Sequence, residues 1–583
     1  MTTRKLSSAI AILFGMTIVA CTPQEKQPKF EAPLFDNLGN NHFKISTDNP
    51  WSQKFFDQGL TLTYGLNHAE ALRSFKEAAR LDDQCAMCYW GMAYVLGPNI
   101  NSAMDSTMVV EANGYIEKAK EYLGNTQEYE QQMILALDKR YPKKESQSLA
   151  SCYKAYAEEM KSIQSNFPEN NDISTLYAEA LMDLHPWDYW NTIDGNPRAW
   201  TGEILDMLEH TLNRDPNHPG ANHYYIHAIE ASKNPSRALK AAHTLTDLVP
   251  GAGHLVHMPA HIFIRTGDYH AGSMAGELSV EADSIYITNC KAQGIYPLAY
   301  YPHNYHFLAA TATLEGRGEK AIDAAFKVAQ NADAQLMYQP EWATLQHYYI
   351  TPHYILVKFG QWDKILELPE SDLLYPKAIR HYARGMAYLG LNQIDNSIEE
   401  LWSLKQIGEK DELKKISIWE LNTVDHLVEI ATLILEAEIE NRQGQYQSAI
   451  KKLISAVDIE DQLNYNEPPD WFFSVRHTLG AVYLDNNQFE NAEAVFKEDL
   501  EIYPNNGWAL KGLLLSLEGQ QKETEAEAVK AQLDKAWQYA DFDLPSSRLL
   551  NEKIPEFENI NIEALTARLT TIPILPLCGV KSN

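Results

Sequence analysis

The sequence predicts an all-α chain, and three observations predict it. Apolar residues return every three or four positions from about Trp51 to the C-terminus, the period of an amphipathic helix. Alternating Val/Ile/Thr-rich runs, which would make a sheet, are scarce. Ala and aromatic residues recur at helical spacing, as close helix crossings require, and similar segments reappear along the chain. A length of 583 residues leaves room for several cores or one elongated array. With 45% hydrophobic and 22% charged residues, the chain is not a disordered polymer. The balance of 49 Lys+Arg against 78 Asp+Glu gives a net charge of -29, which repels phosphate backbones and argues against a nucleic-acid partner.

The first element is an address. Arg4 and Lys5 precede an apolar run from Ala9 to Ala20, too short to span a bilayer as a mature helix, so residues 1–20 read as a signal peptide. The segment Ile18-Val19-Ala20-Cys21 resembles a bacterial lipoprotein signal, although Val19 is larger than the usual small residue. The resemblance implies that Cys21 is lipidated, by palmitate or a similar acyl chain. The exported, periplasm-type body would then be held at the cell envelope, at the outer membrane rather than the inner. An ordinary cleaved signal or an uncleaved anchor is the alternative. Residues 21–50 form a tether and N-terminal extension, polar and Pro-containing from Thr22 to Pro33. No later stretch is apolar enough for a transmembrane helix.

The repeats come next. One segment reads Ala71-Leu72, Phe75, Ala78, Leu81-Asp82, another Phe489, Ala492, Phe496, Tyr503-Pro504, and a third Gly444-Gln445-Tyr446 followed by Ala449. Gly267-Asp268-Tyr269 and Gly360-Gln361-Trp362 occupy the same kind of turn. These segments resemble the tetratricopeptide repeat (TPR), two antiparallel helices of about 34 residues with small residues at the crossings. The resemblance covers most of residues 55–535 and implies an α-solenoid of TPR-like helix-turn-helix repeats forming a right-handed superhelix, with a concave groove that binds a protein, peptide or small ligand. TPR-like repeats are assigned to 51–102, irregular helical hairpins with an aromatic loop to 103–215, His-rich repeats to 216–330, C-terminal repeats to 331–535 and an extension to 536–583.

Histidine carries the functional signal. Ten of the 19 histidines lie between His218 and His306. His223 and His227 are four apart and share a helix face, as do His257 and His261, and each member of the second pair follows its counterpart by 34 residues, one repeat. Glu230 falls on the face of the first pair. Histidines four apart can chelate one transition metal, so His223, His227, His257 and His261, with Glu230 as a carboxylate neighbour, are candidate ligands for Zn, Cu or Fe, in one four-ligand site or two linked sites. The alternative is a metal-free groove for an anionic ligand or peptide, lined by His254, Arg265, His303, His306 and His347, with structural hydrogen bonding as the third reading. Pro259, between His257 and His261, bends the axis near the start of its helix. Trp187 and Trp190, in the aromatic loop just before the ladder, are candidates for a flap over the groove or for packing of a long connection. His42, His68, His210, His381 and His426 read as capping, stacking or hydrogen-bonding residues.

Cys85 and Cys88 read as small packing residues at a helix start, with a disulfide or soft-metal site as the alternative. Cys152, Cys290 and Cys578 are isolated and fit a largely disulfide-free body. The chain has no HExxH, no GxSxG turn, no Walker loop and no dinucleotide glycine fingerprint, which excludes the familiar hydrolases, kinases and dehydrogenases and leaves no reaction assigned. Two readings follow: a lipid-anchored scaffold that binds a partner in its groove, and a metal-binding protein or metalloenzyme built on the histidine ladder.

Overall fold

The computed structural model describes residues 29–191, 194–290, 296–550 and 554–569. The signal peptide, Cys21, Cys578 and the side chain of Cys290 lie outside them. Helices fill most of the described chain, and the paired strands among the described residues are two residues long, Ser417–Ile418 against Asn422–Thr423. The caps explain where helices begin. Asn49 accepts hydrogen bonds from the backbone of Trp51 and Ser52 at the start of helix Pro50–Tyr64, and Asn67 accepts from Glu70 at the start of His68–Leu81. Left-handed residues end them. Leu66, Asn392, Asn487, Asn505 and Gln521, with Gly267, Gly316, Gly360 and Gly444, each adopt positive φ in the turn between two helices. No helix among the described residues is long and apolar enough to cross a membrane.

Each helix packs chiefly on its neighbours in sequence, so the chain is an all-α stack of helix-turn-helix repeats. One device recurs at both ends. The Phe75 ring lies against Gly59 and Gly91, sixteen residues before and after it, and a Cβ at either glycine would come within 2.7 Å of the ring. Phe496 sits in the same way between Gly480 and Gly512, again sixteen residues to either side. The second helix of a repeat thus wedges an aromatic ring between two first helices that lack side chains there. These glycines carry negative φ, so space rather than backbone freedom selects them.

Two large cores share the described chain, one drawing on residues 32–300 and the other on 260–569. Helix Pro259–Thr266 lies on their seam, giving Ile262 and Phe263 to the first core and Ala260 and Ile264 to the second. Both ends of the stack fold back on the middle. Helix Pro50–Tyr64 packs on Pro219–Glu230. Helix Gly507–Gly519 packs on Tyr301–Glu315, where the Trp508 indole donates to the Thr313 carbonyl at 2.9 Å. The Tyr269 hydroxyl donates to the Pro504 carbonyl at 2.8 Å. The histidine-bearing helices are therefore enclosed between N-terminal and C-terminal repeats.

Cys85 and Cys88 form a disulfide across the first turn of helix Ala86–Tyr94, correcting the assignment of both as packing residues. Cys152 is a buried free thiol.

If the glycine-seated rings hold adjacent repeats in register, Gly91→Ala and Gly512→Ala should each overpack their site. Urea unfolding should show a loss of about 1–3 kcal/mol for each variant, whereas Gly114→Ala, where a Cβ meets nothing within 4 Å, should be neutral or stabilising.

Candidate functional site

Three first helices supply the histidines. Helix Pro219–Glu230 carries His223, His227 and Glu230. The next first helix is broken at Met258, where Pro259 lacks the N–H a continuous helix would use, and its pieces Gly253–His257 and Pro259–Thr266 carry His254, His257 and His261. The third, Tyr301–Glu315, follows a wide turn at Tyr296–Tyr300 and carries His303 and His306.

Six imidazoles converge in two groups of three. Ring nitrogens of His223, His227 and His254 lie within 4.8 Å of one another, as do those of His257, His261 and His303. The grouping differs from a site made only of the two repeat pairs. His254 joins His223 and His227, and His303 joins His257 and His261, because the solenoid sets each helix pair against the first turn of the next helix. The triads are adjacent, with ring centroids 6.1 Å apart for His254–His257 and 5.8 Å for His227–His261.

Glu230 ties the triads together. Its Oε1 accepts from His227 Nδ1 at 2.7 Å, and its Oε2 accepts from His261 Nδ1. Tyr465 donates to the same Oε2 at 3.2 Å, and Arg265 Nη1 donates to the Glu230 carbonyl at 3.0 Å. Burial acts to raise the Glu230 pKa, but His261 and His227 outweigh it and hold the carboxyl well below its usual range. His223 Nδ1 donates to the Tyr64 carbonyl at 2.6 Å. A carboxylate or carbonyl can only accept, so His223, His227 and His261 each carry the proton on Nδ1 and present a lone pair on Nε2.

Desolvation pushes the pKa of His223, His254 and His257 well below the normal imidazole value, with neighbouring histidines adding repulsion, and pushes His303 down to about 3 by the same causes. His227 is lowered chiefly by burial, against the pull of Glu230. These five rings are therefore neutral at physiological pH, the form that coordinates a metal. Nε2 of His223 and of His227, both nitrogens of His254, and Nδ1 of His257 have no hydrogen-bond partner among the described residues. A buried polar atom left unpaired costs about 1–3 kcal/mol, so a cluster of them needs a physical reason.

The donor set fits a transition ion. It is six imidazoles, which suit Zn, Cu and Fe, with the carboxylate held back to orient two rings, as second-layer partners of metal-bound histidines do. Two nitrogens at about 2.0–2.1 Å from one ion lie about 2.9–3.4 Å apart. His257 Nε2 and His261 Nε2 are already at 2.9 Å. The ligand nitrogens of each triad all lie within 4.8 Å of one another.

A cavity of about 460 Å³ opens on His227, His254, His261 and His303. Its walls are loops from distant parts of the chain. Pro98–Ala103 forms one wall, pinned by the buried Arg140, which donates to the Pro98 carbonyl at 3.0 Å and pairs with Asp183 at 2.7 Å. Trp187 forms another, with its ring 5.2 Å from that of His227. Trp419, Glu420 and Leu421 come from the small hairpin, and Asn466 and Glu467 from the following inter-helix loop. These last two loops are cross-linked: Asn422 donates to the Asn464 carbonyl and to Asp470, and Asn464 donates back to the Leu421 carbonyl. No Lys or Arg side chain lines this cavity. Burial pushes the Glu467 carboxyl up to about 8, against the pull of Arg265.

Other sequence candidates fall elsewhere. Arg265, beyond its bond to Glu230, lies over the Tyr465 ring and does not line the cavity. Trp190 donates its indole N–H to the Ala228 carbonyl at 2.7 Å, a packing role. His306 and His347 form a separate pair with ring centroids 5.4 Å apart, His306 stacked on Phe472 and His347 bonded to the Tyr375 hydroxyl. The breaker loop Gly97-Pro98-Asn99-Ile100-Asn101, which the sequence offers as a second lining of the groove mouth, does line the cavity through residues 98–101; the site residues that sequence reasoning missed are those of the 419–421 and 465–467 segments. Pro468-Pro469 marks the last of these loops, but no local pattern says that it faces histidine.

The Glu230 bridge has a measurable weight. Glu230→Ala leaves two imidazole N–H groups buried without acceptors and should destabilise metal-free protein by about 3–5 kcal/mol in urea unfolding. Glu230→Gln keeps an acceptor for one ring and should lose less.

No protein-family model matches the chain, and no curated protein matches it. Among solved structures, similarity is found to the Cut9–Hcn1 hetero-tetramer of the APC/C, at 12% identity over 90% of this chain and 78% of that one, with a TM-score of 0.28. The human IFIT1 dimer with m7Gppp-AAAA is similar at 12% identity over 85% and 91%, with a TM-score of 0.29. The P58(IPK) TPR domain is similar at 13% identity over 89% and 98%, with a TM-score of 0.18. At such scores the likeness carries no argument about the site, and the repeat architecture rests on the helix pairing described above.

Proposed function

We propose that the chain is a metal-binding protein whose two histidine triads each hold one transition-metal ion, Zn, Cu or Fe, beside a cavity that admits a small molecule. The observation that supports it is the fixed tautomer of His223, His227 and His261, whose Nδ1 protons are engaged while their Nε2 lone pairs face other histidines in a buried cluster. Three imidazoles leave an ion an open position, where it can polarise a bound oxygen or activate water. A pure metal carrier has no need of a 460 Å³ cavity against its ligands, so the reading favours chemistry on a bound molecule. The chain's own contribution is to hold the rings neutral, aim them through Glu230 and Tyr64, and shield them from bulk water.

A second reading is a scaffold that docks a protein or peptide partner, as the repeat architecture implies. The observation favouring it is Ile398 and Trp402, one turn apart and exposed on helix Ile394–Gly408, Trp402 at 65%. For location, we propose an exported body anchored through lipidated Cys21. The basic and apolar leader supports this reading, and so does the Cys85–Cys88 disulfide, since disulfides persist outside the cytosol.

Elemental analysis of untagged protein tests the metal reading. About two ions per chain are expected, from three donors per ion in each triad. His223→Ala with His227→Ala should leave about one, and adding His257→Ala with His261→Ala should leave none. Metal-free protein that takes up no Zn, Cu or Fe on reconstitution would sink the reading.

A further inference from the structure

Eight non-glycine residues adopt positive φ among the described residues. Five of them, Leu66, Asn392, Asn487, Asn505 and Gln521, sit in turns between packed helices, where a left-handed residue is routine. The other three, Trp187, Trp419 and Glu420, all line the cavity over the histidine triads.

Their turns would normally choose other residues. In His185-Pro186-Trp187-Asp188 the Asp188 N–H donates to the His185 carbonyl at 3.1 Å, and Trp187 at φ 62° occupies the third position, which favours Gly or Asn. In Ile418-Trp419-Glu420-Leu421 the Leu421 N–H donates to the Ile418 carbonyl at 2.9 Å. Both central residues there are left-handed, Trp419 at φ 50° and Glu420 at φ 60°, where Asn-Gly is the relaxed choice. Bulky side chains in such conformations persist where surrounding structure over-determines them, and they concentrate at ligand sites. The supports are present: Trp419 N–H donates to Thr344 Oγ1 at 2.9 Å, and the Asn422–Asn464–Asp470 network holds the hairpin base.

We propose that Trp187 and Trp419 form an aromatic clamp that binds a planar aromatic small molecule, neutral or cationic, in the cavity above the triads. Ring faces attract flat π-systems and cations. The charged side chains of the lining other than histidine are Asp183, Glu420 and Glu467, all acidic, so a ligand anion finds no side-chain counter-charge. Glu467 is 6% exposed, and its Oε2 has no hydrogen-bond partner among the described residues, which offers a polar contact for a hydroxyl or ammonium on the ring. The cavity volume matches a one- or two-ring molecule. The clamp names the ligand of the same cavity as the proposed metal centre, but stacking itself needs no ion.

The test is calorimetric titration of chelator-treated, full-length folded protein with tyramine, 4-methylphenol, 4-hydroxybenzoate and cyclohexanol. Tyramine and 4-methylphenol should bind, with 4-hydroxybenzoate and cyclohexanol weaker by about tenfold or more. Trp187→Gly and Trp419→Gly should each cost about tenfold in affinity. Trp419→Gly also relieves the left-handed strain, so its thermal midpoint should hold or rise, while Trp419→Phe should keep affinity within about threefold. Equal binding of cyclohexanol, absence of binding by all four probes, or unchanged affinity in both glycine variants overturns the clamp. Aromatic binding by protein that never takes up metal leaves the clamp standing and removes only the metal centre. Metal uptake without aromatic binding does the reverse.

Discussion

Glu230 has two carboxylate oxygens, and each accepts a hydrogen bond from the imidazole of a different triad. That arrangement orders the rest of the site. A buried carboxylate would be costly alone, but here it meets two ring N–H groups, a tyrosine hydroxyl and the constraint of its own helix end. By accepting the Nδ1–H hydrogen bonds it turns the Nε2 edges of His227 and His261 toward the other rings, and the Tyr64 carbonyl does the same for His223. One acidic side chain thus sets the tautomers of two rings and joins the two triads, while burial, against its pull, keeps His227 neutral.

The enclosing architecture makes this possible. A repeat stack with an open concave face would leave such histidines hydrated and protonatable. Here helix Pro50–Tyr64 closes on one side, through Tyr64 against His223. The segment around Tyr465 closes on another, through Glu230 and Arg265. All six rings but His303 are at most 3% exposed. Burial keeps His223, His227, His254, His257 and His303 neutral, and the loops from 98, 187, 419 and 466 leave a cavity against the cluster. The same loops carry the strained tryptophans, so the fold concentrates its unfavourable local geometry where a ligand would be in contact.

Much of the fold was legible in the chain itself. Helical period, glycine and asparagine turns, and the recurrence of Phe75-like and Phe496-like positions are local signals, and helices follow local signals. The histidine pairs were legible because an exact repeat interval maps equivalent positions onto neighbouring helices. The disulfide was misjudged: Cys85 and Cys88 read as packing residues with the disulfide only as an alternative, since three-residue spacing at a helix start suits small packing residues as well. The division into triads was not legible: whether His254 meets His223 or faces an open groove depends on the offset between helices and on the break at Pro259.

The sequence by itself determined the helices, their pairing and the fact that imidazoles cluster, because each follows from spacing within a few turns or one repeat. Only the tertiary structure decided that Glu230 bridges two triads, that Arg265 stacks on Tyr465 rather than facing a ligand, and that Trp419 lines the cavity that opens on the histidines. Those contacts join residues up to 235 positions apart, as between Tyr465 and Glu230. They exist because both ends of the stack return to its middle, and no periodicity in a chain encodes where its ends come to rest.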